Sequence, residues 1–153
     1  MEKSKLRINI SALKDGVNEL EYSISAPSLD ISELVSDVVV HLVAIKKGRK
    51  IEIKGEVDFS VALVCARCLI EAVRQFSEEL NSIFLPGIAT EIEELSYEDV
   101  RTVFYKEEEI DILPIIRDAV LLSIPIKPLC REDCKGLCPI CGKNLNEGAC
   151  LCK

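Results

Sequence analysis

The segment CKGLCPICGKNLNEGACLC, residues 134–152, carries five cysteines in nineteen residues, and Cys65, Cys68 and Cys130 bring the chain's total to eight. Thiolates are soft ligands, and four of them at tetrahedral corners are what a structural zinc ion takes. A CxxC turn presents two ligands from one reversal of the chain, so two such turns close a site. CPICG has this form. Cys138 and Cys141 supply the pair, Pro139 suits the turn, and Gly142 can adopt the positive φ that lets backbone amides face a thiolate. Cys150 and Cys152 follow the eight residues GKNLNEGA and complete a four-thiolate set. A ribbon this small folds only around metal.

Cys65 and Cys68 form another CxxC pair, and Cys130 and Cys134 a CxxxC pair. The spacing leaves two arrangements open. In one, these four make a second site that staples the base of the tail to the body of the protein. In the other, a single tail site draws on the six cysteines between 130 and 152, and Cys65 and Cys68 stay free. The cofactor is then one or two zinc ions, with iron as the metal that sulfur-only sites also accept. Disulfides fit poorly. MEKSKLRINI lacks the apolar run and cleavage site of a secretory signal, and no stretch approaches eighteen apolar residues. The expectation is a cytoplasmic protein with reduced thiols and no membrane partner.

Other chemistries find less support. VCARCL could be a thiol–disulfide redox pair, but such pairs open a helix that follows a strand, whereas this one falls between two strands. The single histidine, His41, lies inside a strand pattern and reads as a packing residue. Carboxylate runs such as EIEE and KEEE have no apolar pocket to set their pKa values apart, so they read as a solvated face. Phosphate-binding loops and nucleophile elbows are absent. The sequence therefore predicts no enzyme and no small-molecule substrate.

The elements that must position these cysteines are mostly strands. In IEIKGEVDFSVALVC the residues Ile51, Ile53, Val57, Phe59, Val61, Leu63 and Cys65 share one parity, with charged and polar residues on the other. DVVVHLVAI precedes it across KKGRK, so residues 38–64 form one long hairpin. LRINISAL and VNELEYSIS are shorter strands around Asp15 and Gly16, and SLDISELVS offers one helical turn after Pro27 with a Ser cap. EAVRQFSEELNSIFLP is a strand ended by Pro86 and Gly87. DILPIIRDAVLLSIP is an amphipathic helix over about 111–123, capped by Asp111, with Pro114 in its first turn. The expected fold is α+β and mainly β. It has an antiparallel sheet or partly open barrel of about five to seven strands, one amphipathic helix and a zinc-ribbon-like tail. Residues 1–126 form the β-rich domain, including an acidic loop over about 87–110 with one short strand at VRTVFY, and residues 127–153 form the cysteine-rich tail. With 48% apolar residues but no Trp and only four Phe, the core is aliphatic.

The net charge of −7 is uneven. Residues 1–70 hold ten acids and ten bases, residues 71–111 twelve acids and three bases, and residues 112–153 four acids and six bases. A net anion is a poor general ligand for phosphate backbones. Lys127, Arg131, Lys135, Lys143 and Lys153 give the tail a local basic character that could touch RNA. The acidic middle suits a basic protein.

The combination of CARCL after a long strand, DILPIIRDAVLLSIPIKPLC, CKGLCPICGKNLN and a final CLC resembles the YceD family of large ribosomal RNA subunit accumulation proteins. The likeness runs from the hairpin to Lys153. It implies a non-enzymatic factor that supports accumulation of large-subunit ribosomal RNA and ribosome assembly. The partner would be that RNA, a pre-ribosomal particle or a basic ribosomal protein. The alternatives are a zinc-ribbon RNA-binding protein and a redox protein using Cys65 and Cys68.

Overall fold

The computed structural model describes residues 6–87 and 101–152. The hairpin is its centre. β3 (Val38–Lys47) and β4 (Lys50–Val64) pair from Lys47↔Lys50 to Val39↔Asp58. The two-residue turn between them places Gly48 at φ +62°, the left-handed conformation that tight hairpin turns require. β2 (Gly16–Ile24) flanks β3 and β5 (Glu71–Pro86) flanks β4, both antiparallel. β6 (Thr102–Tyr105) then pairs with the end of β5 in parallel, giving the sheet order β2-β3-β4-β5-β6. A small second sheet joins β1 (Arg7–Asn9) to β7 (Glu109–Asp111).

The expected alternation holds along β4, where Ile51, Ile53, Val57, Phe59, Val61 and Leu63 are buried. Cross-strand partners share a face, so this inner face continues through Val40 and Leu42 of β3 and Leu80 and Phe84 of β5. Helix α2 (Leu113–Ser123) lies over it and contributes Leu113, Ile116 and Val120 to the core. Gly55 sits in the middle of β4 because a Cβ there would collide with the His41 carbonyl. The helix starts at Leu113 with Ile112 and not Asp111 as its N-cap; the Asp111 carboxylate, one residue before, accepts from the Leu113 amide at 3.1 Å and the Leu6 amide at 3.2 Å, tying the first described residue to the helix start.

The architecture is the expected mainly-β one, with open sheets in place of a barrel. Four other details differ from expectation. The β5–β6 pair is parallel, where an antiparallel sheet was expected; residues 88–100 of the acidic loop lie outside the described residues. The helical turn α1 spans Ala26–Leu29 and follows Ser25, three residues before the expected Ser28 cap, since Pro27 fits the first turn of a helix. β7 has no counterpart in the sequence reading. His41 is exposed on the outer face, 4.0 Å from Glu21, and is not a packing residue.

Candidate metal centres

Strand β4 ends at Val64 and β5 starts at Glu71, so the residues between them turn the chain and carry Cys65 and Cys68. Within this turn the Cys65 amide donates to the Ile70 carbonyl at 2.9 Å, and the Leu69 amide to the Cys65 carbonyl at 3.0 Å. The Arg67 amide points at Cys65 Sγ at 3.4 Å. CPICG repeats the pattern bond for bond. The Cys138 amide donates to Lys143 O at 2.8 Å, the Gly142 amide to Cys138 O at 2.9 Å, and the Ile140 amide to Cys138 Sγ at 3.5 Å. The residue after each second cysteine is left-handed, Leu69 at φ +61° and Gly142 at φ +73°. Two unrelated stretches thus adopt one turn whose amides face a sulfur.

The eight sulfurs fall into two sets. Cys65, Cys68, Cys130 and Cys134 form a proximal group, and Cys138, Cys141, Cys150 and Cys152 a distal one, each with all Sγ atoms within 4.8 Å of one another. Cys65 Sγ lies 3.7 Å from Cys134 Sγ, and Cys68 Sγ 3.6 Å from Cys130 Sγ. Four sulfurs about 2.3 Å from a central ion stand about 3.8 Å apart, whereas a disulfide would bring two to about 2 Å. All eight cysteines are free thiols. Both groups could hold a metal ion, and the donor sets fit one that takes four thiolates.

Their surroundings differ. In the proximal group Cys65, Cys68 and Cys134 are buried, with Leu129 and Leu137 packed against them. The tail is fastened there by backbone and arginine bonds. The Ala66 amide donates to Pro128 O at 2.8 Å, and the Arg67 guanidinium to Cys134 O at 2.9 Å. Arg74, from β5, donates to Leu129 O at 3.1 Å and to Cys130 O. In the distal group only Cys138 is buried, while Cys141 and Cys152 are exposed. Backbone amides, that of Cys68 foremost, bring the Cys65 thiol down to about 6. The Cys141 amide leads the same effect on Cys138, also to about 6. Burial pushes Cys130 up to about 12. Each group therefore contains a sulfur poised as thiolate, the form that binds metal.

The sequence named all eight cysteines, and the structure groups them as in one of the two arrangements the spacing left open. It did not assign roles to Arg67, Arg74 or Asn146. Arg67 read as an ordinary surface charge, yet it holds the tail. Asn146 donates to Cys134 Sγ at 3.4 Å, and nothing in its spacing marks it. The Cys65/Cys68 pair sits on a strand-to-strand turn and not at a helix start, as the sequence suggested.

The chain matches the family described as large ribosomal RNA subunit accumulation protein YceD over residues 53–153, which include every cysteine. An uncharacterised protein of Mycobacterium tuberculosis is 32% identical to it, covering 81% of this chain and 61% of the relative. The Arabidopsis thaliana protein named large ribosomal RNA subunit accumulation protein YCED homolog 1, chloroplastic, is 30% identical over 84% of this chain and 49% of its own length. Bacillus subtilis YlbN is 29% identical over 64% of this chain and 55% of that protein. The chain thus spans from about half to about three fifths of the length of these relatives. No solved structure matches it. The family match, carried by the region that builds both cysteine groups, shows that the chain belongs to the YceD family.

Proposed function

We propose that this protein is a non-enzymatic cytoplasmic factor for accumulation of large-subunit ribosomal RNA, in which two zinc ions hold a tail onto a sheet that binds a basic ribosomal protein. Its working division is a β-rich domain over 1–126 and a zinc-binding tail over 127–153. Cys65, Cys68, Cys130 and Cys134 hold one ion, and Cys138, Cys141, Cys150 and Cys152 the other. The ions supply rigidity; both donor sets are all-thiolate, which suits closed structural sites.

The observation that carries the choice of partner is the outer face of the five-stranded sheet. Glu21↔His41, His41↔Glu56 and Glu56↔Glu79 are successive cross-strand neighbours, so three carboxylates cross four strands in one row. Glu19, Glu52, Asp58 and Glu71 share this face, which makes seven acids against Lys47, Lys50 and Lys54. Directly opposed like charges such as Glu56 and Glu79 work against the sheet by about 0.2–1 kcal/mol, and a basic partner would offset that. The tail is a weaker RNA surface than its composition implied. Arg131 is engaged by Asp133 at 3.3 Å and Asn146 at 2.9 Å, and Lys143 by Ala149 O at 3.1 Å.

The test places a photocrosslinking residue at Glu56 or at Ile140 in growing cells and identifies what each captures. The reading expects a basic ribosomal protein from position 56, lost with Glu21→Lys and Glu79→Lys together. Crosslinks to large-subunit ribosomal RNA from position 140, unaffected by those reversals and abolished by Lys135→Glu with Lys143→Glu, would establish the RNA-binding alternative in its place.

A further inference from the structure

Asn146 belongs by sequence to the distal group, in the loop between Cys141 and Cys150, yet it bonds to the arm of the proximal group. Its Nδ2 donates to Cys134 Sγ at 3.4 Å. Its Oδ1 accepts from the Lys135 amide at 2.8 Å and the Arg131 guanidinium at 2.9 Å. Asn144 fixes its orientation by accepting from both its backbone N–H, at 3.0 Å, and its Nδ2, at 2.8 Å. Asn144 is itself bridged to Leu137, and the Leu145 amide donates to Gly136 O at 2.9 Å. Gly136, at φ +75°, lies so close to the Cys65/Cys68 turn that a Cβ would stand 3.2 Å from Arg67 O. The distal loop is therefore seated on the arm of the proximal group by these backbone contacts, and the Asn146 amide is the group that reaches a proximal sulfur.

We infer that Asn146 couples the two cysteine groups, so that zinc in the distal group tightens zinc in the proximal one. The inference rests on the zinc reading above. Four thiolates around a divalent ion carry a formal charge of about −2, and N–H donors to the sulfurs orient the ligands and offset that charge. The loop from 142 to 149 has no buried side chain of its own, so closure at Cys141 and Cys150 reinforces the bonds to Gly136, Leu137, Lys135 and Arg131 that hold Asn146 in place. With the distal group open, the amide leaves Cys134. Reciprocity requires the proximal group to favour distal loading by the same factor.

The test is a chelator competition on the full chain, with mass spectrometry of alkylated cysteines showing which group releases metal. Opening the distal group with Cys141→Ser and Cys152→Ser should weaken proximal zinc binding about 10–100-fold, the usual effect of losing a hydrogen bond to a ligand. Asn146→Ala should do the same, and combining the changes should add little. Asn146→Asp retains the acceptor bonds to Lys135 and Arg131 but replaces the donor with a carboxylate oxygen beside Cys134, so it should weaken proximal zinc at least as much as Asn146→Ala with the sheet's amide spectrum unchanged. Unchanged proximal affinity in the distal-open variant, or fully additive losses in the combination, would refute the coupling while leaving two bound zinc ions. Wild-type protein without zinc would refute the metal reading itself, and the coupling with it.

Discussion

Replacing Cys68 by Ser should reveal how much the proximal group contributes to the fold. Cys68 and its neighbour Cys130 are 62 residues apart in sequence, so a metal held between them closes a long loop in the unfolded chain. Treated as a cross-link, closure of a loop that size is worth about 4 kcal/mol. Serine preserves the shape but is a poor zinc ligand, so most of that should be lost. With a urea m-value of about 2 kcal/mol/M, the unfolding midpoint should fall by about 2 M. The assay is urea unfolding of zinc-loaded protein followed by far-ultraviolet circular dichroism, repeated in excess chelator. In chelator the two proteins should unfold together, because neither holds the cross-link. A deficit of the same size that persists in chelator would refute the reasoning and make Cys68 a packing residue, not a ligand.

Gly55→Ala should cost at least about 2 kcal/mol, read as a fall in thermal midpoint, because overpacking against the His41 backbone has no flexible neighbour to yield. Leu69 is 64% exposed and left-handed, a conformation that costs an ordinary residue about 1–2 kcal/mol. Leu69→Asn should therefore raise stability by about 1 kcal/mol in the same melt, and no gain would mean that Leu69 is held by packing. Gly142→Ala, at the equivalent position, should have the opposite sign and make distal zinc easier to strip. Asp111→Ala removes the acceptor shared by Leu113 and Leu6 and should cost about 1–2 kcal/mol, with faster hydrogen exchange at those two amides.

Strong local patterns were legible in the sequence. The β4 alternation continued unbroken into Cys65, and the spacing of CPICG foretold a turn that Gly142 indeed makes possible. The meeting of Cys65 and Cys68 with Cys130 and Cys134 was one of two open arrangements, because a contact across 69 residues leaves no periodic trace. β7 was missed for the same reason: three residues, EID, acquire strand geometry only by pairing with Arg7–Asn9. Summing charge along the chain also misled. The first seventy residues balance to zero, yet Lys46 turns away to bond Ile10 O and Leu13 O, Arg7 pairs with Glu109, and Arg67 is spent on the tail. Glu19, Glu21, Glu52, Glu56 and Asp58 of the same stretch stay on the outer face. His41 was misjudged because parity alone does not say which side of a sheet is covered.

The long interval between the halves of the proximal group also orders events in time. Cys65 emerges from the ribosome 69 residues before Cys134. At about 5–20 residues per second, the first half waits roughly 3–14 seconds for the second. The β3–β4 hairpin can form in that interval, but its two-cysteine turn has no sulfur partners until Cys130 and Cys134 follow. A metal taken up at this site would therefore report synthesis past Cys134: a chain ending before Cys130 displays an open pair of thiols, and one that extends through Cys134 buries them.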